Sequence, residues 1–353
     1  MTDFISGEAA GLAPYTPGEQ PRNQQYIKLN TNESPFPPSE RVLRAVLEEQ
    51  AKSLNLYPDP SCQRLHTVLA SRYGVQPENV ISGNGSDEVL AFAFRAFCGK
   101  GKPVAYADIT YGFYQAQAAL FGLEAHIIPL RENLTLDIQD YLDFPGMIVI
   151  ANPNAPTGIS LPREEIEKLL KVNLQRVVLV DEAYVDFGGE SCVPLIHKYE
   201  NLLVVQTMSK SRQLAGARLG YALGSASLIE AMNRVKYSFN PYNVNRMTMA
   251  AGIAAAEDEE YFKKCCHTII ENRSWTSLEL EKLGFSVLPS RTNFVFAKSD
   301  KISGGELYQK LKEREILVRW FDTERIRDYI RITIGTKEQM ETLIGEISGI
   351  IQK

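Results

Sequence analysis

The chain has 353 residues, with 38 Lys and Arg set against 43 Asp and Glu and no basic run, so the footprint of a nucleic-acid or anionic-membrane binder is missing and a small-molecule partner is favoured. A single hydrophobic core stops growing near about 250–300 residues, so a large and a small core are expected. The start, Met1-Thr2-Asp3-Phe4-Ile5, lacks a basic region and an apolar stretch. No run approaches the ~18 apolar residues of a membrane span, and a soluble, cytoplasmic protein is the expectation. Five scattered cysteines (Cys62, Cys98, Cys192, Cys265, Cys266) without C-x-x-C spacing read as reduced structural thiols, and four histidines, none at ligand spacing from another, make a metal unexpected.

Residues 1–40 are rich in Pro, Gly and Asn, as in Pro14-Tyr15-Thr16-Pro17-Gly18 and Ser34-Pro35-Phe36-Pro37-Pro38, and are predicted to form an arm without regular elements. From residue 80 onward, short apolar runs alternate with helical stretches: Val104-Ala105-Tyr106, Ala125 to Ile128, Met147 to Ile150, Val177 to Val180 and Leu202 to Val205. Near-continuous apolar strands spaced by helices predict an α/β fold, a mostly parallel central sheet flanked by helices, over residues 41–245. After Asn245 the texture changes to a long charged helix, Asp258 to Leu283, and half-polar strands at Phe285 to Leu288, Asn293 to Phe296 and Tyr329 to Thr333. These predict a smaller α+β domain over residues 246–353.

Gly83-Asn84-Gly85-Ser86-Asp87-Glu88 precedes an apolar helix, Val89 to Phe97. Glycine permits close backbone approach, and a helix start offers free N–H groups to a phosphate; taken alone, the segment is equally an ordinary capped helix. Tyr111, at the exit of the next strand, can stack on a flat ring where ligands of open α/β sheets collect, or simply pack as a half-buried tyrosine. Asn152-Pro153-Asn154-Ala155-Pro156-Thr157-Gly158 closes another strand with a turn that could present an amide, or be no more than a turn. Asp181 follows four apolar residues of a presumed central strand, where a carboxylate without a positive partner is costly; a protonated ring nitrogen would supply one, and a helix N-cap is the competing role. Tyr184, three residues on, could donate to a ring hydroxyl.

Lys210, in Thr207-Met208-Ser209-Lys210, ends the Leu202 to Val205 run, with Arg218 one short loop further on. A lysine there, with Ser209 and Arg218 to complete a phosphate site, is how an enzyme holds pyridoxal phosphate as a Schiff base. A solvated surface lysine is the alternative, and the ordered recurrence of five such motifs argues against it. Arg331 puts a guanidinium inside an apolar strand, suited to bind a carboxylate bidentately or to form a cross-strand ion pair.

Together these motifs resemble the fold-type I pyridoxal-phosphate aminotransferases, in particular the histidinol-phosphate aminotransferase family. The resemblance runs from Leu12-Ala13-Pro14-Tyr15 and Leu29-Asn30-Thr31-Asn32-Glu33 through Tyr57-Pro58-Asp59-Pro60 to the Arg331 strand. It implies that Lys210 carries the cofactor, Asp181 holds the ring nitrogen, Tyr184 the ring hydroxyl, and Tyr111 stacks on the ring. Gly85, Ser86, Asp87, Ser209 and Arg218 would form the phosphate cup, joined by Tyr57 from the other subunit of a homodimer. Arg331 would bind the carboxylate of the glutamate half-reaction, Tyr15 and Arg319 the substrate phosphate, and Asn32 would line the substrate site. The family places an asparagine directly before Pro-Thr-Gly, whereas here that position is Ala155; Asn154 reaching in by a shifted turn, or Tyr184 alone, would then meet the ring hydroxyl. The implied reaction is a ping-pong transfer from histidinol phosphate to 2-oxoglutarate in histidine biosynthesis. An aromatic amino acid aminotransferase or a threonine-phosphate decarboxylase of the same fold, and a non-catalytic phosphate-binding module, are the alternatives.

Overall fold

The computed structural model describes residues 5–13, 15–20, 26–47 and 52–352, so part of the expected arm, Pro14 included, lies outside the described residues. The apolar runs become a seven-stranded sheet in the order β2-β8-β7-β6-β5-β3-β4. Its strands are β2 (Val80–Asn84), β3 (Val104–Ala107), β4 (Ala125–Ile128), β5 (Met147–Ala151), β6 (Val178–Asp181), β7 (Leu202–Thr207) and β8 (Leu219–Gly224). All neighbours pair in parallel except β8, which runs against both β2 and β7.

Period-2 alternation explains why the central runs are apolar throughout. Ile148, Ile150, Val178, Val180 and Val204 face one core with Leu65, Leu69, Ile166 and Leu169 from helices Gln63–Tyr73 and Arg163–Val172. Met147, Val149, Leu179, Leu203 and Val205 face the other, with Val89, Phe92 and Phe94 of helix Ser86–Phe97 and Tyr114 of helix Phe113–Leu120. Both faces are covered, except at the edge strand β4, whose His126 and Ile127 are exposed.

A second, antiparallel sheet has the order β12-β13-β10-β9, from β9 (Phe285–Val287), β10 (Phe294–Ser299), β12 (Arg319–Trp320) and β13 (Tyr329–Thr333). Val295, Ala297, Ile330 and Ile332 pack against Ile269 and Leu280 of helix Glu259–Lys282 and Leu343 and Ile347 of helix Lys337–Ile351. Helix Arg246–Glu257 sends Ala251, Ala254 and Ala255 into the core of the large sheet. Phe296, on the opposite face of β10, meets Ala107, Ile109 and Leu130 and so joins the two sheets.

The arm differs from expectation by containing a strand: β1 (Ile27–Lys28) pairs in parallel with β11 (Ile316–Leu317). Thr333 bonds both the Asn32 amide at 3.0 Å and its side-chain Oδ1 at 2.9 Å, locking the arm to the second sheet. Among the described residues, no helix is long and apolar enough to cross a membrane.

Gly220 on β8 shows how tightly the sheet holds the helix start at Ser86: a Cβ there would lie 2.2 Å from the Ser86 nitrogen. Gly220→Ala is therefore expected to displace that helix start and cost about 1–3 kcal/mol, as overpacking does. Denaturant unfolding checks this; an unchanged midpoint would show that strand and helix can spread.

Candidate active site

The carboxyl ends of β5, β6 and β7 open into a cavity of about 520 Å³, in the range of small-ligand sites. The second sheet and the arm close it from the other side. Asp181, Tyr184, Ser209, Lys210, Arg218, Ser86, Asp87, Tyr111, Asn32, Tyr15, Arg319 and Arg331 all line it.

Asp181 ends β6 on the same face as Leu179, one residue past Val180, so strand alternation turns its carboxyl away from the core containing Val178 and Val180. It is buried and forms no ion pair with a described residue. Tyr114 donates to Oδ2 at 2.6 Å and the Ala183 amide to Oδ1 at 3.1 Å. Burial pushes its pKa up to about 6 despite those two donors. The raised value means that ionising Asp181 works against folding: the cost is absent below pH 4, grows between pH 4 and 6 and levels off above 6. It amounts to about 3 kcal/mol at neutral pH. A cation bound beside it would relieve that cost.

Lys210 lies just beyond β7, its Nζ donating to the Thr31 carbonyl at 3.0 Å and standing 5.9 Å from the Tyr184 ring centre. Burial, with the Arg331 charge next, lowers its pKa to about 8. A substantial fraction of uncharged, nucleophilic amine therefore exists near neutral pH. Tyr184 is held by Asn32, whose amide donates to its oxygen at 2.9 Å and leaves the phenol proton free to donate into the cavity.

At the end where helix Ser86–Phe97 begins, Gly85 occupies the N-cap position at φ 83° without a side-chain cap. Uncapped N–H groups and the positive dipole end suit an anion. Arg218 stands against Gly85, where a Cβ would meet its Nη2 at 2.4 Å, and pairs with Asp87 at 3.0 Å. Ser209 accepts from Thr207 at 3.0 Å. Tyr111 donates to Asp87 at 2.9 Å, fixing its ring at the cavity wall.

On the second sheet, Arg319 and Arg331 are directly paired across β12 and β13. Like charges opposite each other are destabilising, and no acidic side chain forms an ion pair with either among the described residues; the pair is arranged for an anion from outside. Arg331 donates to the Asn30 carbonyl at 2.9 Å, while its buried Nε has no partner among the described residues. Arg319 reaches the Thr16 and Pro17 carbonyls at 3.2 and 3.3 Å. Tyr15 from the arm meets Tyr111 edge-on at 5.8 Å.

One expected residue is placed elsewhere. Asn154 accepts from Thr110 at 2.7 Å and donates to Ile109 and Thr157 at 3.0 and 3.1 Å, so its amide ties the loop together, and Ala155 lines the cavity in its stead. The shifted turn therefore does not bring Asn154 in. Tyr57 lies away from this chain's cavity, 78 % exposed and stacked on Tyr242 at 4.6 Å. Tyr114 and the Thr31 carbonyl are contributors that the sequence reading missed; in the sequence the first reads as a core tyrosine of an apolar helix.

The family model for aminotransferase class I and II matches residues 24–347. The histidinol-phosphate aminotransferase of Clostridium botulinum (strain Okra / Type B1) is 47% identical over the whole of both chains. That of Marinomonas sp. (strain MWYL1) is 52% identical over 97% of this chain and 98% of its own. The histidinol-phosphate aminotransferase from Sinorhizobium meliloti, solved in complex with pyridoxal-5'-phosphate, has a TM-score of 0.85 and 26% identity, covering 92% of this chain and 90% of that one. The chain belongs to the class I and II aminotransferases, within the histidinol-phosphate aminotransferase family.

Proposed function

We propose that the protein is a pyridoxal-phosphate-dependent transaminase that moves the amino group of histidinol phosphate to 2-oxoglutarate, yielding imidazole acetol phosphate and glutamate. The observation that carries this reading is one buried cavity with an uncompensated carboxylate, Asp181, and a lysine of lowered pKa, Lys210. The donor set fits pyridoxal phosphate: a carboxylate for the ring nitrogen, the Tyr184 phenol for the ring hydroxyl, and an uncapped helix start with Ser209 and Arg218 for the phosphate. With Asn154 engaged elsewhere, Tyr184 alone is assigned the ring hydroxyl.

When bound, this cofactor supplies an aldehyde that exchanges amines and a protonated ring that accepts electron density from the substrate's amine-bearing carbon. Lys210 would hold it, and would move the proton at that carbon as general base and acid. Asp181 keeps the ring nitrogen protonated. Arg331 offers its free Nε to the α-carboxylate in the glutamate half, and Arg319 with Tyr15 meets the phosphate in the other half. Asn32 positions Tyr184 from the substrate side.

A homodimer is part of this reading, with Tyr57 of each subunit completing its partner's phosphate site. Its exposure supports this, as does that of Leu54, Leu56 and Phe239, at 63, 60 and 76 %. A cytoplasmic location follows the sequence expectation. The two cores serve as the two domains, and the packing of helix Arg246–Glu257 favours drawing their division after that helix rather than near residue 245.

Four measurements test the proposal. Borohydride reduction of the loaded protein and peptide mass analysis should label Lys210, and cofactor capture by the apo-chain should quicken with rising pH and level off above about 8. A midpoint near the ordinary lysine value of 10.5 would count against the cavity's effect on this amine. Histidinol phosphate should exceed phenylalanine and threonine phosphate in kcat/KM; better turnover of either overturns the substrate. Arg331→Lys should raise KM for 2-oxoglutarate about tenfold to a hundredfold through loss of the bidentate fork, with a smaller effect on the phosphorylated donor.

A further inference from the structure

Tyr114 is wholly buried in helix Phe113–Leu120, and its hydroxyl donates to Asp181 Oδ2 at 2.6 Å. Its ring is packed between Phe94, Tyr106 and Tyr111, with centroids 6.3, 5.9 and 5.7 Å away. The neighbouring Tyr106 hydroxyl is buried without a partner among the described residues, and the Tyr114 proton goes to Asp181. With Oδ1 taken by the Ala183 amide and Oδ2 by Tyr114, the carboxylate plane is fixed, and each oxygen keeps one lone pair for a further partner.

We propose that Tyr114 is a positioning residue for the amino-transfer reaction: its hydroxyl keeps the Asp181 carboxylate ionised and aimed at the cofactor's ring nitrogen. This rests on the reading of Asp181 as that nitrogen's partner. A donor to the carboxylate favours the charged pair, carboxylate with protonated ring, over the neutral pair in which the proton has moved to Asp181. Only the charged pair withdraws electrons from the reacting carbon. Tyr114 itself stays protonated, because burial and the adjacent Asp181 push its pKa well above the ordinary tyrosine value. Asp87, Tyr111 and Tyr184 are the other titratable groups facing this pair.

The test compares Tyr114→Phe, Asp181→Asn, their double variant and Tyr106→Phe as a control beside Tyr114. Tyr114→Phe should lower kcat about tenfold to a hundredfold, as loss of a hydrogen bond to a charged group does. KM for both substrates should stay within about twofold, since neither touches Tyr114. Affinity of the apo-protein for pyridoxal phosphate should fall. The pH midpoint of the bound cofactor's visible absorbance should move upward, because a less protonated ring withdraws less charge from the lysine linkage. In the Asp181→Asn background the second substitution should add nothing, and Tyr106→Phe should leave the midpoint in place. An unchanged midpoint and affinity in Tyr114→Phe, while Asp181→Asn loses both, overturns the proposal and leaves the role of Asp181 standing. An equal shift in Tyr106→Phe also overturns it, by showing a packing effect. If Asp181→Asn changes neither, the reading of Asp181 itself falls.

Discussion

Charge held out of water without a matching partner is the constraint on which this molecule turns. Removing an ion from water costs several kcal/mol even after the surroundings relax, and here one cavity gathers Asp181 and Lys210 at one wall and Arg319 and Arg331 at another. The protein offsets part of that cost with neutral dipoles: a phenol and an amide for the carboxylate, and the Asn30 and Thr31 carbonyls for the cations. The remainder is left for ligands to supply, which is why the same groups that are costly to bury are those that select a cofactor and a substrate acid.

Each part of the fold contributes through its edge rather than its centre. The parallel strands β5, β6 and β7 end at one level, so residues distant in sequence are delivered side by side. The second sheet turns its apolar residues, Ile330 and Ile332, toward its own helices and leaves the intervening Arg331 facing the cleft. Phe296, one strand over and directly paired with Arg331, secures that orientation by packing on the first sheet.

Much of this was legible because polar residues interrupt strongly apolar patterns. Asp181, Lys210 and Arg331 each break or end a strand that the alternation rule makes unmistakable, and the parallel sheet follows from the same runs. Tyr114 was hidden, since a tyrosine in an apolar helix is indistinguishable from core until the strand beside it is placed. Asn154 misled for a related reason: a turn's residues can be recognised from Pro and Gly, but which amide it turns inward depends on the loop's own hydrogen bonds. The arm's pairing could not be foreseen, because a two-residue strand carries no periodicity and its partner lies almost the whole chain away.

That pairing has a bearing on how the molecule comes into being. The arm is synthesised well before Thr333, which bonds Asn32 across a separation of 301 residues. Until the second sheet has been made, the segment carrying the carbonyls over Lys210 and beside Arg331 lacks its long-range partners, β11 and Thr333. Nascent chains can assemble the seven-stranded sheet early, yet the chamber between the two sheets is closed only once the second sheet has been made, so cofactor loading follows synthesis of both sheets.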